Sequence, residues 1–229
     1  MDDHIVILNS VQAANDLFEK RSRIYSGRPN EEVCETAGWG FNIVIQDHSE
    51  KWRQNRRVFQ QTFRPDAVIE FRPAIQERVS FFLRCLCESP KDFMRHIDVL
   101  SGSISLKLMY GIDVETIDDP LISAGKLAVH TFDTIFAARF VAIMKYVPRQ
   151  AIMRAPRWFP VLGPARRFIE SSRKYVDDLV NLPMQQVQKM NTEAGGHIPR
   201  LLRKLDPNDS YELQKLQLMK DMASIAYLG

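Results

Sequence analysis

The stretch Glu50-Lys51-Trp52-Arg53-Gln54-Asn55-Arg56-Arg57-Val58-Phe59-Gln60-Gln61-Thr62-Phe63 decides how the chain is read. In helical register Trp52, Arg56, Phe59 and Phe63 share one face. That face mixes an indole N–H, a guanidinium and two rings. A plain core face would carry Leu, Ile or Val where Arg56 stands, because an unpaired buried guanidinium is costly. Arg56 is therefore expected either to point into water or to meet an anion, and an indole donor one turn away can serve the same anion. Two alternatives follow. Trp52 and Arg56 together bind the carboxylate of a large apolar cofactor lying against Phe63, or the helix is a surface helix with Arg56 solvated and its aromatics in the core.

Around this helix the composition is that of a globular chain: 229 residues, 45% hydrophobic and 26% charged. A net charge of +3 from 31 basic and 28 acidic residues is too balanced for nucleic acid to be the main partner. The basic residues do cluster locally, at Lys51, Arg53, Arg56, Arg57 and Arg64. The five histidines are scattered, and Cys34, Cys85 and Cys87 form neither a disulfide framework nor a zinc motif, so no local metal site is expected. No run approaches the roughly twenty apolar residues of a membrane helix; the most apolar window, Phe132 to Met144, is broken by Asp133 and Arg139.

The segment before the helix predicts a short strand, Ile5 to Leu8, then a helix from Val11 to about Ser22 capped by Ser10. Tyr25 to Pro29 breaks it. Gly38-Trp39-Gly40-Phe41 suits either a loop lining a pocket or a turn with a core anchor. Asp47 with Glu50 forms a capping box for the Trp52 helix. Further on, Pro73 is expected to open a helix with the face Ile75, Val79, Phe82, Leu83 and Leu86. Phe93, Ile97, Leu100, Ile104 and Leu108 mark another, stopped at Gly111. Asp113 to Asp119 reads as a solvated acidic loop. A helix follows from Asp119-Pro120 to about Ala138. Lys145 to Pro160 is a connector rich in proline and aromatics. Its Trp158-Phe159 pair beside Arg154 and Arg157 suits a membrane interface or packing onto the helices. A long helix starts at Gly163-Pro164, with Pro183 as kink or stop. After a polar linker, Asn191 to Gly196, helix resumes at Leu201-Leu202 and again from Leu213 to the end. The fold class is mainly α, with about seven or eight helices and one or two short strands near the N-terminus.

Several ordered stretches carry a family resemblance: His4 to Ser10, Lys20-Arg21-Ser22, Tyr25 to Pro29, Gly38 to Asn42, Trp52-Arg53 with Arg56-Arg57 and Phe59, Phe71-Arg72-Pro73, Tyr110 to Asp113, Lys145 to Pro148, Trp158-Phe159-Pro160, and Lys220 to Gly229. Over essentially its whole length the chain resembles the N-terminal half of the cytochrome P-450 family, in its fungal, microsomal-type form. The resemblance implies one partial haem-thiolate monooxygenase domain over residues 1–229, cut at both ends. It implies haem b as cofactor, with a propionate held by Trp52 and Arg56 and Phe63 at the haem edge. It also implies pocket walls from Trp39, Phe41, Ile45, Phe136 and Ala226. The expected partners are an apolar small-molecule substrate, an NADPH-dependent reductase approaching Lys51 and Arg53, and the endoplasmic reticulum membrane for the complete protein; nucleic acid is not among them. Ser49 stands where the family usually has glycine. The family's thiolate-bearing cysteine loop and its oxygen-activating Gly-x-Asp-Thr helix are absent, and no residue here is expected to be catalytic or to ligate iron. The chain alone is expected to be inactive. The rival expectation is a truncated helical protein without enzymatic function or haem.

Overall fold

The computed structural model describes residues 6–28, 31–116, 118–190, 195–204, 206 and 210–228. The fold is mainly α, as the cytochrome P-450 resemblance implies, and twelve α-helices are present among the described residues. The expected strand is not there: Ile5 lies outside the described residues, and Val6 and Ile7 are exposed and without regular structure. A strand needs a partner for its backbone N–H and C=O groups, and none is in place for this one among the described residues. Pro29, 191–194 and Gly229 also lie outside the described residues.

Ser10 caps α1 (Val11–Ala14) by accepting from the Ala13 N–H at 3.1 Å, as its side chain predicts. The expected single helix is, however, divided: a π-turn over Asn15–Glu19 follows, then α2 (Ser22–Tyr25). A short α3 (Glu31–Thr36) precedes the Trp39 loop. The central helix, α4 (Glu50–Thr62), is capped by Ser49, whose hydroxyl accepts from the Trp52 N–H at 3.2 Å. Asp47 is not the cap; its carboxylate instead accepts from the Arg28 N–H at 2.6 Å.

Pro65, and not Pro73, opens α5 (Pro65–Glu88), which carries Pro73 in its interior. Its buried line is Phe71, Arg78 and Cys85, while Val79 and Leu83 of the expected face are exposed. A similar rotation separates expectation from structure in α6 (Phe93–Tyr110): His96, Val99, Ser103 and Leu106 are buried, whereas Phe93 and Ile97 are exposed. Gly111 ends α6 at φ 70°, where an added Cβ would also run into the Gly195 carbonyl. Asp119 caps α7 (Pro120–Ile135), with Pro120 in its first turn. Then α8 (Ala138–Tyr146) follows, and the connector expected to be irregular, Lys145 to Pro160, holds the end of α8 and all of α9 (Arg149–Arg154). Next come α10 (Leu162–Lys189), running through Pro183, then α11 (His197–Lys204) and α12 (Ser210–Leu228).

Two helix pairs organise the packing: α5 lies against α6, and α10 against α7. Between them α12 packs on α6 and α4. The core runs through Trp39, Leu106, Met109, Ile135, Ile169, Leu179 and Ala223. Gly125 lets α12 approach α7, since a Cβ there would come 2.8 Å from the Tyr227 ring. The Tyr227 hydroxyl donates to the Leu121 carbonyl in the same contact.

The acidic loop is exposed at Asp113, Glu115, Thr116 and Asp118, as expected, but Val114 is buried and its carbonyl and the Asp113 carboxylate are bound by α5 and α6. Arg78, only 6% exposed, donates from Nη1 to the Val114 carbonyl at 3.0 Å. Its Nη2 sits 3.1 Å from Asp113 Oδ1, and Lys107 Nζ meets the same carboxylate at 2.6 Å. The guanidinium thus clamps α5 to the turn that leaves α6. Removing it orphans a buried carbonyl. Arg78→Ala is therefore expected to lower stability by about 2–3 kcal/mol, read as a shift of the urea midpoint at unchanged slope. A midpoint equal to that of the parent chain would show the clamp to be inert.

Candidate functional site

The polar core of α4 sets its orientation. Asn55 is fully buried, and its Nδ2 donates to Gln46 Oε1 at 3.0 Å. Gln46 in turn donates from Nε2 to the Gly40 carbonyl at 2.8 Å. This relay ties α4 to the loop that carries Trp39 and Phe41. Thr62, one heptad beyond Asn55, is buried as well and contacts Met219 Sδ at 3.5 Å, which ties α4 to α12. The buried line of α4 is therefore Asn55 and Thr62. Sequence reasoning missed both, because amides and hydroxyls are mostly exposed.

Trp52 and Arg56 flank that line. Trp52 is half-buried, with the His48 ring edge-on at 4.7 Å. The Arg56 guanidinium lies over the Trp52 ring, 5.0 Å from its centroid, a cation–π contact worth about 0.5–1 kcal/mol at an exposed position. Arg56 makes no ion pair among the described residues, whereas Arg53 is bound to Glu50 at 3.0 Å. Lys51 and Arg57 are exposed on the same helix. The arrangement presents an indole and a stacked, uncompensated guanidinium together at one edge of α4. Their donors fit a carboxylate, and the stack limits the freedom of the guanidinium before any anion arrives.

Phe63 closes α4 as its C-cap residue and joins a chain of rings. It packs on Phe59 at 4.7 Å and on Phe71 at 6.1 Å, and Phe71 meets His197 at 5.5 Å. Of the other expected wall residues, Trp39, Phe41 and Phe136 form one aromatic row. Phe41 stacks on Trp39 at 5.9 Å, Phe132 meets Trp39 edge-on at 4.8 Å, and Phe136 meets Phe132 at 5.2 Å. Phe132, which links the row, falls within the α7 segment flagged for its apolar sequence. Trp39 is 0% exposed and its indole N–H has no partner among the described residues. Ile45 is buried in the same core cluster. Ala226 stands apart from the row: its carbonyl accepts from Ser105 Oγ of α6 at 2.6 Å. Cys34 and Cys85 are buried and Cys87 is exposed, and no group of three or more metal-ligating side chains occurs among the described residues.

A profile of the cytochrome P-450 family matches residues 1–220. A cytochrome P-450 monooxygenase, ple1, of Rhodocybe pseudopiperita is 31% identical over 98% of this chain and 43% of its own length. A tryptamine 4-monooxygenase of Psilocybe cyanescens is 29% identical over 92% of this chain and 41% of its own. A third relative, the cytochrome P-450 monooxygenase COX2 of Coprinopsis cinerea, is 36% identical over 62% of this chain and 28% of its own. No solved structure matches. The mainly helical fold and the family match together define a haem-protein class. The chain belongs to the cytochrome P-450 family, whose cofactor is haem, and it spans less than half the length of these fungal relatives.

The ring chain from α4 ends on a titratable group. Burial holds the His197 imidazole below its ordinary value, and the nearby Arg200 charge lowers it further, against an opposing pull from Glu70. A folded-state value below the unfolded one means the unfolded chain takes up the proton first. Stability is therefore expected to fall as pH drops through the ordinary imidazole value of about 6.5. His197→Phe should flatten urea midpoints measured between neutrality and mildly acidic pH. An equal slope in both proteins would rule out this origin for the dependence.

Proposed function

We infer that this chain is the haem-propionate and pocket-building part of a fungal monooxygenase that inserts one atom of O2 into an apolar small molecule. The observation that carries this is the uncompensated Arg56 guanidinium stacked on the half-buried Trp52. In this role the Trp52 indole N–H and the Arg56 guanidinium donate to one propionate, and Phe63 offers an apolar edge. Ser49 helps by fixing the first turn of α4, and the Gly40–Gln46–Asn55 relay keeps the aromatic loop in register with it. Haem, when bound, supplies the redox chemistry with O2. The chain's own contribution is to orient the cofactor through its carboxylate and to exclude water with the Trp39, Phe41 and Phe136 row.

The axial thiolate is not assigned to Cys34, Cys85 or Cys87. The first two are buried in the packing of other elements, and Cys87 lies on an exposed face of α5. Reduced with CO and haem, the 229-residue chain is expected to give no thiolate-type Soret band. Lys51 and Arg57, both exposed on α4, offer positive charge to an acidic reductase; Arg53, held by Glu50, contributes less. Trp158, 80% exposed, and Phe159 beside it form an apolar edge suited to the endoplasmic reticulum membrane surface that the complete protein would meet. No single helix among the described residues is long and apolar enough to cross a membrane.

Titration with haemin and with haemin dimethyl ester, whose carboxylates are blocked, tests the assignment. The parent chain should bind haemin about tenfold more tightly than the ester, as expected for one charge-assisted hydrogen bond of roughly 1.5–3 kcal/mol. Arg56→Gln should erase that preference, and Trp52→Phe should reduce it. Equal binding of acid and ester by the parent chain would contradict the assignment.

A further inference from the structure

An open cleft of ≈ 680 Å³ lies between the loop after α3, the start of α9, and the facing sides of α10 and α12. Two arginines from separate elements line it: Arg149, the first residue of α9, and Arg173 of α10. Arg173 commits its Nε to the Thr36 carbonyl at 2.8 Å, which leaves its terminal amines. Neither arginine makes an ion pair among the described residues. The charge nearest to Arg173 in effect is Arg149: burial lowers the Arg173 value, and Arg149 lowers it further.

The cleft also holds Glu35, Asp177 and Asp221, and among the described residues none of these carboxylates forms an ion pair with either arginine. Asp177 accepts from Asn181 Nδ2 at 2.7 Å, and Asp221 from Gln217 Nε2 at 2.9 Å. Lys51 and Lys220 are the charged neighbours of Asp221. Glu35 has its aliphatic stem packed on Gly40, where an added Cβ would come 2.9 Å from Glu35 Cγ. Two like charges held near each other from different elements are unfavourable unless an anion is shared between them. Planar guanidiniums take oxyanions in pairs of hydrogen bonds. The same cleft has an apolar wall, made by Phe41, Val176 and Val180, and Phe41 opens onto the aromatic row through Trp39.

We propose that this cleft binds an amphipathic organic oxyanion, with its carboxylate or phosphate between Arg149 and Arg173 and its apolar body against Phe41. This names a substrate class for the monooxygenase, and it rests on that assignment only for what becomes of the ligand after binding. An oxyanion held at the cleft orients the apolar end of the molecule toward the aromatic row. It also excludes neutral analogues by leaving the guanidinium pair uncompensated.

The test uses the 229-residue chain without haem and four fluorescent probes of one shape: 1-naphthaleneacetate, 1-naphthyl phosphate, 1-naphthaleneethanol and 1-naphthalenemethylamine. One or both oxyanions should bind about tenfold more tightly than the alcohol, and the amine more weakly still. The tighter of the two oxyanions identifies the natural group. Arg149→Gln, at a side chain with no ion pair among the described residues, should erase the preference while leaving alcohol binding unchanged. Arg173→Gln should do the same, and Lys174→Gln, on the exposed side of α10, should not. Equal binding of oxyanions and alcohol, or a preference that survives Arg149→Gln, would overturn the proposal. Arg56→Gln separates the two assignments: it acts on haemin binding and leaves the probe preference intact.

Discussion

A buried amide sets the geometry on which the rest turns. Asn55 has no exposure, so its side chain must be bonded inside the protein, and Gln46 supplies the bond. Because Gln46 also holds the Gly40 carbonyl, the rotation of α4 and the path of the Trp39 loop are set together. A helix has only one rotation that buries both Asn55 and Thr62. At that rotation Trp52 lies half in and Arg56 fully out, close enough to stack. The placement of the Trp52–Arg56 edge of α4 thus follows from what the neighbouring line of the helix must hide.

Charge placement follows the same division between spent and unspent groups. Arg78 is buried, and its two terminal nitrogens meet the Val114 carbonyl and Asp113, so it acts as a structural clamp. Arg53 is held by Glu50 on the surface, where such a pair adds well under about 1 kcal/mol. Arg56, Arg149 and Arg173 make no ion pair among the described residues, and each stands beside aromatic or apolar surface.

Much of this was legible in the order of residues, because the signals were local. Ser10, Gly111 and Asp119-Pro120 mark helix ends by chemistry that acts within one turn, and the structure has those ends. The Trp52–Arg56 spacing likewise needs only helical geometry. What failed to show depends on tertiary contact. A buried arginine reads as a surface residue, so the packed line of α5 through Phe71, Arg78 and Cys85 was displaced to Ile75, Val79 and Leu83. Pro73 reads as a helix start and Pro183 as a kink or stop, yet α5 and α10 run through them because packing along α6 and α7 holds the flanking turns. Asn55 and Gln46 gave no signal alone; their meaning lies in a bond between an irregular loop and a helix.

The most direct measurement is the indole N–H spectrum of the isotope-labelled chain, whose three tryptophans give three resolvable signals. Zinc protoporphyrin IX is added as a diamagnetic haem analogue, and the Trp52 signal is assigned by its loss in Trp52→Phe. The Trp52 N–H is predicted to move downfield as it donates to a propionate, with the exposed Trp158 signal unmoved, and the shift should vanish with the dimethyl ester. A stationary Trp52 signal under saturating porphyrin would contradict the account.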